Sequence, residues 1–409
     1  MAAMAIRVGV IGTGNIGTAH AVSLAREVSG STVTAVFDVA AERAQAVAAD
    51  LDARSLPSAQ AVIEDESVDA VVIASPDDLH AEHALACLAA GKPMMLEKPL
   101  ASTLEDAQRV MDAEVARGER LIMLGFMRRF DPGYVALKAS LASGDVGEAL
   151  VIHNIHRNAY AAYGLDTTLS INNSAVHEVD ISRWLLDEEY EWVQVLSGKP
   201  GPDVPDGQKD PLLITFRTTS KVMVTIEMFM TARYGYEVRC SVVAGNGILD
   251  MGDGTFITRT SRGSRGQDIP ELWLGRFGEA YRAEMQAWID GIRGLTGPAG
   301  ASTWDGFMAA VSCRAAVDAP EASAASPPSH SASTAASLAL SMASNSSSAD
   351  SLFYSQWSAE PLADGTLGSN GRESRRRLGR KRQERIEALM GGLTVDDYLD
   401  DADDDDAGG

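Results

Sequence analysis

Residues 6–17 of the chain read IRVGVIGTGNIG, a short apolar run that leads straight into a G-x-G-x-x-G motif. In such a motif Gly12 permits a tight turn, Gly14 lets the backbone approach a phosphate, and Gly17 lets a helix pack closely on the strand. Asn15 and Ile16 open that helix, whose N-terminus would face the phosphates. The stretch therefore predicts the first strand, turn and helix of a dinucleotide-binding domain. A glycine-rich turn without a ligand is the alternative.

An acidic residue lies where the adenosine ribose of a dinucleotide would bind. Asp38 ends the second apolar run, 21 residues after Gly17, and its carboxylate would accept hydrogen bonds from the ribose hydroxyls. The same carboxylate would repel a 2′-phosphate, and the following Val39 supplies no cation. The sequence therefore favours NAD over NADP as the cofactor.

The first third of the chain alternates apolar runs with helical segments, which is typical of a parallel sheet wrapped by helices. We predict a doubly wound Rossmann domain over residues 1–125. The predicted strands cover 6–11, 32–37, 70–74, 93–96 and 121–124, and two of the helices cover 18–28 and 104–116.

Beyond Gly125 the apolar runs follow one another more closely, which favours an α+β domain with a mostly antiparallel open sheet over residues 126–319. Only one early helix, near 176–186, interrupts these runs, and two more helices are expected near 276–293 and 304–317. The predicted strands cover 149–156, 192–196, 212–216, 221–228 and 236–243.

Residues 320–409 differ in composition from the rest of the chain. They are rich in Ser, Ala and Pro, followed by a basic run over 372–385 and an Asp-rich stretch over 396–406. Low complexity and blocks of like charge predict a disordered tail. The tail is either a regulatory or partner-binding extension or an extension without function.

The overall composition narrows the function classes. With 409 residues and 45% hydrophobic residues, the chain is long enough for two domains and a further segment. The formal net charge of −22 argues against a nucleic-acid partner, and the lack of an apolar run of about 18 residues argues against a membrane span. The beginning of the chain does not read as a signal peptide, so we expect a cytoplasmic protein.

The cysteines do not suggest a metal site. Cys87, Cys240 and Cys313 are far apart and lack the spacing of metal ligands. We expect buried free thiols and no bound metal. Buried thiols of this kind are typical of a reducing compartment.

Two further motifs carry residues suited to proton transfer. Glu97-Lys98-Pro99 follows the fourth apolar run, and ligands of open α/β sheets bind at such carboxyl ends of strands. His177 lies at the start of a predicted helix, and imidazole suits proton transfer near neutral pH. From these residues alone, Lys98 could equally be a solvated surface charge, and His177 a packed core histidine or a metal ligand lacking partners.

Several motifs in order resemble those of the Gfo/Idh/MocA family of oxidoreductases, over about residues 5–319. Behind the G-x-G-x-x-G these are EKP (97–99), GFMRRFDPGY (125–134), HRN (156–158), SAVHEVD (174–180), RYGYE (233–237) and STWDG (302–306). EKP marks the family at large. GFMRR, HRN, VHE and YGY are similar to the branch of the family that acts on inositol.

The resemblance implies roles for individual residues. Lys98 would hydrogen-bond the reacting hydroxyl, His177 would take its proton, and Glu97 and Lys98 would lie beside the cofactor. Other hydroxyls of a polyol substrate would be bound by Arg128, Asn158 and Tyr236. Alternatively, Arg128 pairs with Asp131 and Tyr236 is a half-buried strand residue.

The resemblance also implies the reaction and the assembly. The expected reaction is the NAD-dependent oxidation of the 2-hydroxyl of myo-inositol to the inosose. A dehydrogenase of another cyclitol or sugar, or a non-catalytic NAD-binding sensor, is the alternative. The resemblance further implies a homotetramer formed by stacking the open sheet faces, with Tyr281 reaching the site of a neighbouring subunit.

One residue departs from the family pattern. The family usually has Asp four residues before the catalytic histidine, and this chain has Asn173. An asparagine can hydrogen-bond but carries no charge, so we expect a less basic His177 and a shifted substrate preference. Asn173 could instead serve only as a helix N-cap.

Overall fold

The first sheet is parallel, has six strands and runs in the order β3-β2-β1-β4-β5-β6, which is the Rossmann order. The computed structural model describes residues 5–161, 164–252 and 258–319. Strands β1, β4, β5 and β6 are buried on both faces, as the continuous apolar runs predict. The strands are β1 (Ile6–Ile11), β2 (Ser31–Phe37), β3 (Arg54–Ser55), β4 (Ala70–Ile73), β5 (Met94–Glu97) and β6 (Ile122–Gly125).

Helices cover both faces of this sheet, so the predicted doubly wound architecture is confirmed. Helix α5 begins where the Thr103 side chain accepts a hydrogen bond from the Asp106 amide, and it ends at Gly118 in the left-handed region. The helices are α1 (Asn15–Arg26), α2 (Ala41–Leu51), α3 (Ala59–Glu64), α4 (His80–Ala90) and α5 (Leu104–Arg117).

The second sheet also has six strands, in the order β12-β11-β7-β10-β9-β8. Every neighbouring pair is antiparallel except β7 and β10, which run parallel, so the prediction of a mostly antiparallel sheet is confirmed. Its strands are β7 (Ala149–Arg157), β8 (Tyr190–Ser197), β9 (Leu212–Thr218), β10 (Met223–Phe229), β11 (Glu237–Ala244) and β12 (Gly247–Met251). A separate hairpin pairs β13 (Arg259–Ser261) with β14 (Ser264–Gly266).

One face of the second sheet packs against helices. Alternate residues of β9 are buried, including Ile214 and Phe216, and in the same sheet β7 contacts α8 and β8 contacts α10. The helices are α6 (Pro132–Ser143), α7 (Thr167–Ser170), α8 (Val176–Leu186), α9 (Trp273–Ile292) and α10 (Thr303–Asp318). A π-helical turn, Ile171–Ala175, joins α7 to α8.

The two sheets are connected by the last helices. Helix α9 packs on α1, and α10 packs on both α5 and α8. The backbone amide of Leu124 in β6 donates to the carbonyl of Ala301, 2.9 Å away, just before α10 begins. These contacts bring the carboxyl ends of the parallel strands against the start of α8.

Some elements were not predicted. Strand β3 is two exposed residues without apolar character, so hydrophobic periodicity could not reveal it. Helix α6 carries a start signal in the sequence, because Asp131 caps its first amides and Pro132 occupies its first position.

Some predictions are tested by these elements and others are not. All three cysteines are buried free thiols, as predicted. Within the described residues, no helix combines the length and apolar character that a membrane crossing requires. The predicted domain boundaries stay predictions, and the predicted disordered tail over 320–409 lies outside the described residues.

Candidate active site

The turn after β1 has the shape that a bound pyrophosphate needs. Gly12 adopts φ +89°, and a Cβ there would lie 2.3 Å from the Ala74 carbonyl oxygen. A Cβ on Gly17 would lie 2.0 Å from the Gly12 carbonyl oxygen, so only glycine allows α1 to pack this closely. A Cβ on Gly14 would meet no atom within 4 Å, which leaves the backbone at the start of α1 open to a ligand.

Asp38 lies at the end of β2, where the ribose-binding acid was predicted. Its Oδ2 accepts from the Thr13 amide at 2.7 Å and the Thr13 hydroxyl at 3.0 Å, and its Oδ1 accepts from the Ala40 amide at 2.8 Å. Arg43 donates twice more to the same carboxylate. Burial opposes ionisation, but the hydrogen bonds from Arg43, Ala40 and Thr13 outweigh it and lower the pKa of Asp38 to about 2.

Lys98 follows β5 and points across to the π-helical turn. Its Nζ donates to the backbone carbonyl of Asn173 at 3.2 Å and to the Asn173 Oδ1 at 3.4 Å. Burial lowers the pKa of this ammonium group, although the neighbouring Glu97 acts in the opposite direction. Lys98 is therefore a positioned donor within the site and not a solvated surface charge.

His177 lies in the first turn of α8, with its ring edge-to-face on Phe126 at a centroid distance of 6.1 Å. Burial lowers the pKa of His177 well below 6.5, and the positive charges of Arg128 and Lys98 lower it further. Its Nδ1 is buried and has no hydrogen-bond partner among the described residues. The lowered pKa keeps the imidazole uncharged near neutral pH, and an uncharged imidazole can accept a proton from a bound hydroxyl.

A buried group of polar side chains lies beside His177, contributed by β7, α8 and the turn after β6. Arg128 forms an ion pair with Glu178, and its Nη2 lies 3.4 Å from the His156 Nδ1. That Nδ1 is 2.9 Å from the Glu178 Oε2, while the Nε2 of the same ring is 3.1 Å from the Asn158 Oδ1. Tyr236 closes the group by packing edge-to-face on His156 at 5.7 Å.

These contacts decide between the alternatives left open by the sequence. Arg128 pairs with Glu178 and not with Asp131, because Asp131 caps α6 and binds Arg276 at 2.6 Å. Tyr236 is buried just before β11 and is not a half-buried strand residue.

The alternative in which Asn173 only caps a helix is wrong. Helix α8 begins at Val176, and Asn173 lies inside the π-helical turn that precedes it. Its side chain accepts from Lys98, so it contributes to the site through the lysine. The described structure therefore links Asn173 to Lys98, whereas His177 Nδ1 stays unpaired.

Glu97 and Tyr281 both contact His20 on α1. Glu97 is buried, and its Oε1 lies 2.7 Å from the His20 Nε2, while its Oε2 accepts from the Lys98 amide at 3.2 Å. Tyr281 packs edge-to-face on His20 and on Trp273 of its own chain. In the described structure both residues thus contact groups of the same chain.

Several residues near the site were not singled out as functional from the sequence. Glu178 and His156 belong to the quoted VHE and HRN motifs. Residue spacing alone does not show that Glu178 is buried beside Arg128 and His156. Glu284 on α9 is fully buried, neither of its carboxyl oxygens has a partner among the described residues, and burial raises its pKa well above 4.5. Arg43 was missed because its contact with Asp38 depends on where α2 begins.

A Rossmann sheet with an open glycine turn, and with a lysine and a neutral histidine at its carboxyl edge, defines the class of NAD-dependent oxidoreductases. More narrowly, the chain belongs to the Gfo/Idh/MocA oxidoreductase family. The sequence model of that family's NAD-binding Rossmann fold matches residues 6–126, and the model of its C-terminal alpha/beta domain matches residues 151–324.

Individual relatives agree with this assignment. The chain is 40% identical to inositol 2-dehydrogenase 3 of Saccharopolyspora erythraea over 317 residues, which cover 77% of this chain and 93% of the relative. It is 40% identical to the inositol 2-dehydrogenase of Pseudomonas fluorescens over 319 residues, covering 77% and 94%.

A solved structure is similar over the same region. The crystal structure of myo-inositol dehydrogenase from Lactobacillus casei, in complex with NAD(H) and myo-inositol, has a TM-score of 0.74 and 34% identity. The match covers 80% of this chain and 99% of that one.

Proposed function

We propose that the protein oxidises the 2-hydroxyl of myo-inositol to the corresponding ketone, the inosose, with NAD as the oxidant. The observation that supports the proposal is that Lys98, directly after β5, lies close enough to His177 for its charge to lower the pKa of the histidine. The relatives named inositol 2-dehydrogenase, at about 40% identity over most of their length, support this choice of substrate.

The residues around the glycine turn fit NAD. Gly12, Gly14 and Gly17, with the amides of Asn15 and Ile16 at the start of α1, would hold the pyrophosphate. Asp38 would lie at the adenosine ribose, and Glu97 and Lys98 would lie at the nicotinamide end. When bound, the nicotinamide supplies the acceptor for the hydride of the carbinol carbon.

The chain's own residues manage the proton. His177 is neutral near pH 7 because burial and nearby cations lower its pKa, so it can take the hydroxyl proton as the carbon is oxidised. Lys98 would donate a hydrogen bond to the reacting oxygen, held in place by its contacts with Asn173. Its charge favours the alkoxide character that develops on that oxygen.

The buried polar group would bind the remaining hydroxyls. A cyclitol carries a hydroxyl on every carbon, and each buried polar group without a partner costs about 1–3 kcal/mol. Arg128, Asn158 and Tyr236 would supply donors and acceptors for these hydroxyls.

A second candidate is the oxidation of another cyclitol or sugar. Asn173 favours it, because this neutral residue stands where the family usually has an acid and contacts the lysine that would hold the reacting hydroxyl. A non-catalytic NAD sensor is a weaker alternative, since a sensor needs neither Lys98 nor His177.

The proposal includes a homotetramer formed through the open face of the second sheet. That face carries partly exposed apolar side chains on three strands, of which Leu196 and Leu213 lie opposite each other on β8 and β9, and Ile248 lies on β12. Stacking two such faces would bury them. In that assembly Tyr281 would also reach a neighbouring subunit's site.

We also propose a cytoplasmic location and a role in inositol catabolism. The three cysteines support the location, because each is a buried free thiol, as is typical of proteins in a reducing compartment. The catabolic role rests on the proposed direction of the reaction, the oxidation of the polyol by NAD.

The test is an initial-rate assay of NADH formation with a panel of cyclitols and sugars. We expect myo-inositol to give the highest kcat/KM, and His177→Ala to lower kcat by about 10²–10⁴-fold while leaving NADH binding intact. Turnover of a different polyol in preference to myo-inositol would support the second candidate. Normal NADH binding without turnover of any polyol would refute the enzyme proposal.

A further inference from the structure

The acid at the ribose end of the nucleotide site is already paired with a cation of the same chain. Arg43, in the first turn of α2, donates to Asp38 through Nη2 at 2.6 Å and through Nε at 3.1 Å. The sequence had suggested a site with an acid and no cation, since Val39 is apolar. The described structure instead places a guanidinium directly against the acid.

The Asp38 carboxylate has little capacity left for another donor. It accepts five hydrogen bonds, from the Thr13 amide and hydroxyl, the Ala40 amide and two nitrogens of Arg43. A carboxylate offers about four lone-pair positions. Its side chain is only 4% exposed, so a ligand approaching from solvent does not meet a bare anion.

Arg43 is the charged group that faces solvent at this position. Its side chain is 50% exposed, and three of its five N–H donors have no partner among the described residues. Val39 beside it is 79% exposed and presents no charge. At the ribose end, the exposed surface thus carries the Arg43 N–H groups that have no partner among the described residues. The negative charge of Asp38 beneath them is balanced by its ion pair with Arg43.

We propose that Arg43 lets this nucleotide site bind dinucleotides that carry a 2′-phosphate, in addition to NAD. A guanidinium binds phosphate oxygens through charge-assisted hydrogen bonds, and an arginine near the ribose acid is a recognised means of accommodating a 2′-phosphate. The ion pair with Arg43 also offsets the repulsion that Asp38 alone would exert. The inference deepens the dinucleotide site of the proposed function and does not depend on the polyol.

The test is direct binding of NADPH and NADH, each followed by its own fluorescence in the absence of any polyol. We expect the full-length protein to bind both, with a Kd for NADPH below about 1 mM. Arg43→Ala should weaken NADPH binding by about tenfold or more and NADH binding by less than about threefold. The effect on NADPH should diminish at high salt, because phosphate contacts at an exposed site are screened.

A matched variant controls for the loss of a surface arginine. Arg109 lies on α5, is exposed, and forms an ion pair with Asp106 through Nη1. Arg109→Ala should leave both binding constants unchanged.

Three results would overturn the proposal. The first is NADH binding without NADPH binding. The second is an equal loss of affinity for NADH and NADPH in Arg43→Ala, which would place Arg43 against the adenosine that the two nucleotides share. The third is binding of neither nucleotide, which would also contradict the proposed NAD site. By contrast, a protein that binds both nucleotides but oxidises no polyol would refute only the proposed function.

Discussion

Asn173 has a direct consequence for the basicity of the proposed base. An aspartate at that position would place a negative charge near His177 and Lys98 and would favour the charged form of each. Asparagine offers Lys98 the same type of oxygen acceptor without the charge. Burial and the nearby cations lower the pKa of His177, and the uncharged side chain of Asn173 does not oppose this shift.

The first prediction concerns Asn173→Asp. For a general base, kcat/KM falls as pH drops through the pKa of that base, so in the wild type the acidic limb should lie below pH 6.5. The added anion stabilises the imidazolium and should move this limb upward by about one pH unit or more. The measurement is the pH profile of kcat/KM for the oxidised polyol.

The adjacent asparagine offers a control of identical chemistry. Asn172 is exposed on the same π-helical turn, and Asn172→Asp adds the same charge outside the lysine contact. Its profile should coincide with that of the wild type. If the pH profile of kcat/KM for Asn173→Asp also coincided with that of the wild type, the residue at position 173 would not set the basicity of His177.

Residues whose role follows from local backbone needs could be predicted, and residues whose role follows from tertiary contacts could not. Gly12 and Gly17 stand where the motif requires them, since a Cβ at either would strike backbone oxygen. The partner of Arg128 was not predictable, because Glu178 comes from a helix 50 positions later in the chain. The pairing of Arg43 with Asp38 likewise depends on the geometry of the β2–α2 connection.

At the scale of elements, the start of α1 forms the proposed pyrophosphate site. It has no side-chain cap and no acid in its first turn, so its amides stay available to an anion. The two glycines at this end differ in what they do. Gly17 serves packing within the chain, whereas Gly14 leaves open space for a ligand.

The second prediction distinguishes the ligand-binding role of Gly14 from the packing role of Gly17. Gly14→Ala adds a methyl group that meets nothing in the protein within 4 Å, so the melting temperature should be unchanged. The methyl group would occupy the space of the pyrophosphate at a cost of about 1–3 kcal/mol, which raises the Kd of NADH about tenfold to a hundredfold. The measurements are thermal unfolding without ligand and NADH titration.

Gly278→Ala provides the comparison for this variant. Gly278 also meets nothing within 4 Å, but it lies on the exposed side of α9. That substitution should leave NADH binding unchanged. Equal NADH binding by Gly14→Ala and wild type would show that the pyrophosphate does not lie at this turn.

Most elements followed from hydrophobic periodicity, but the π-helical turn before α8 did not. Helix α8 was predicted with the bounds it has, because its apolar positions follow helical spacing. The π-helical turn before it has no such signature, since one extra residue per turn is not encoded in the apolar pattern. The site depends on that turn, because it presents Asn173 to Lys98.

At the scale of the whole molecule, the second sheet has one covered and one open face. Ile214 and Phe216 are buried on the covered face, while Leu196 and Leu213 remain about 40% exposed on the open face. Apolar side chains grouped on one sheet face commonly mark an interface between subunits. The open face of the second sheet carries the proposed tetramer contact.

The third prediction tests that contact. Leu213→Asp places a charge on the open face and should convert the proposed tetramer into smaller species, because an unpaired buried charge is strongly unfavourable. The measurement is the mass in solution by size exclusion with light scattering. Leu295→Asp changes an equally apolar exposed residue outside the second sheet and should leave the mass unchanged. A wild-type monomer would contradict the proposed assembly.

The central claim is that this protein moves the hydride of carbon 2 of myo-inositol to NAD. The most direct measurement is a reaction with myo-inositol deuterated only at carbon 2, followed by mass spectrometry of the reduced dinucleotide. The account predicts one deuterium in each NADH formed, and a loss of that product in His177→Ala. Reduced dinucleotide without deuterium would show that another carbon is oxidised and would contradict the account.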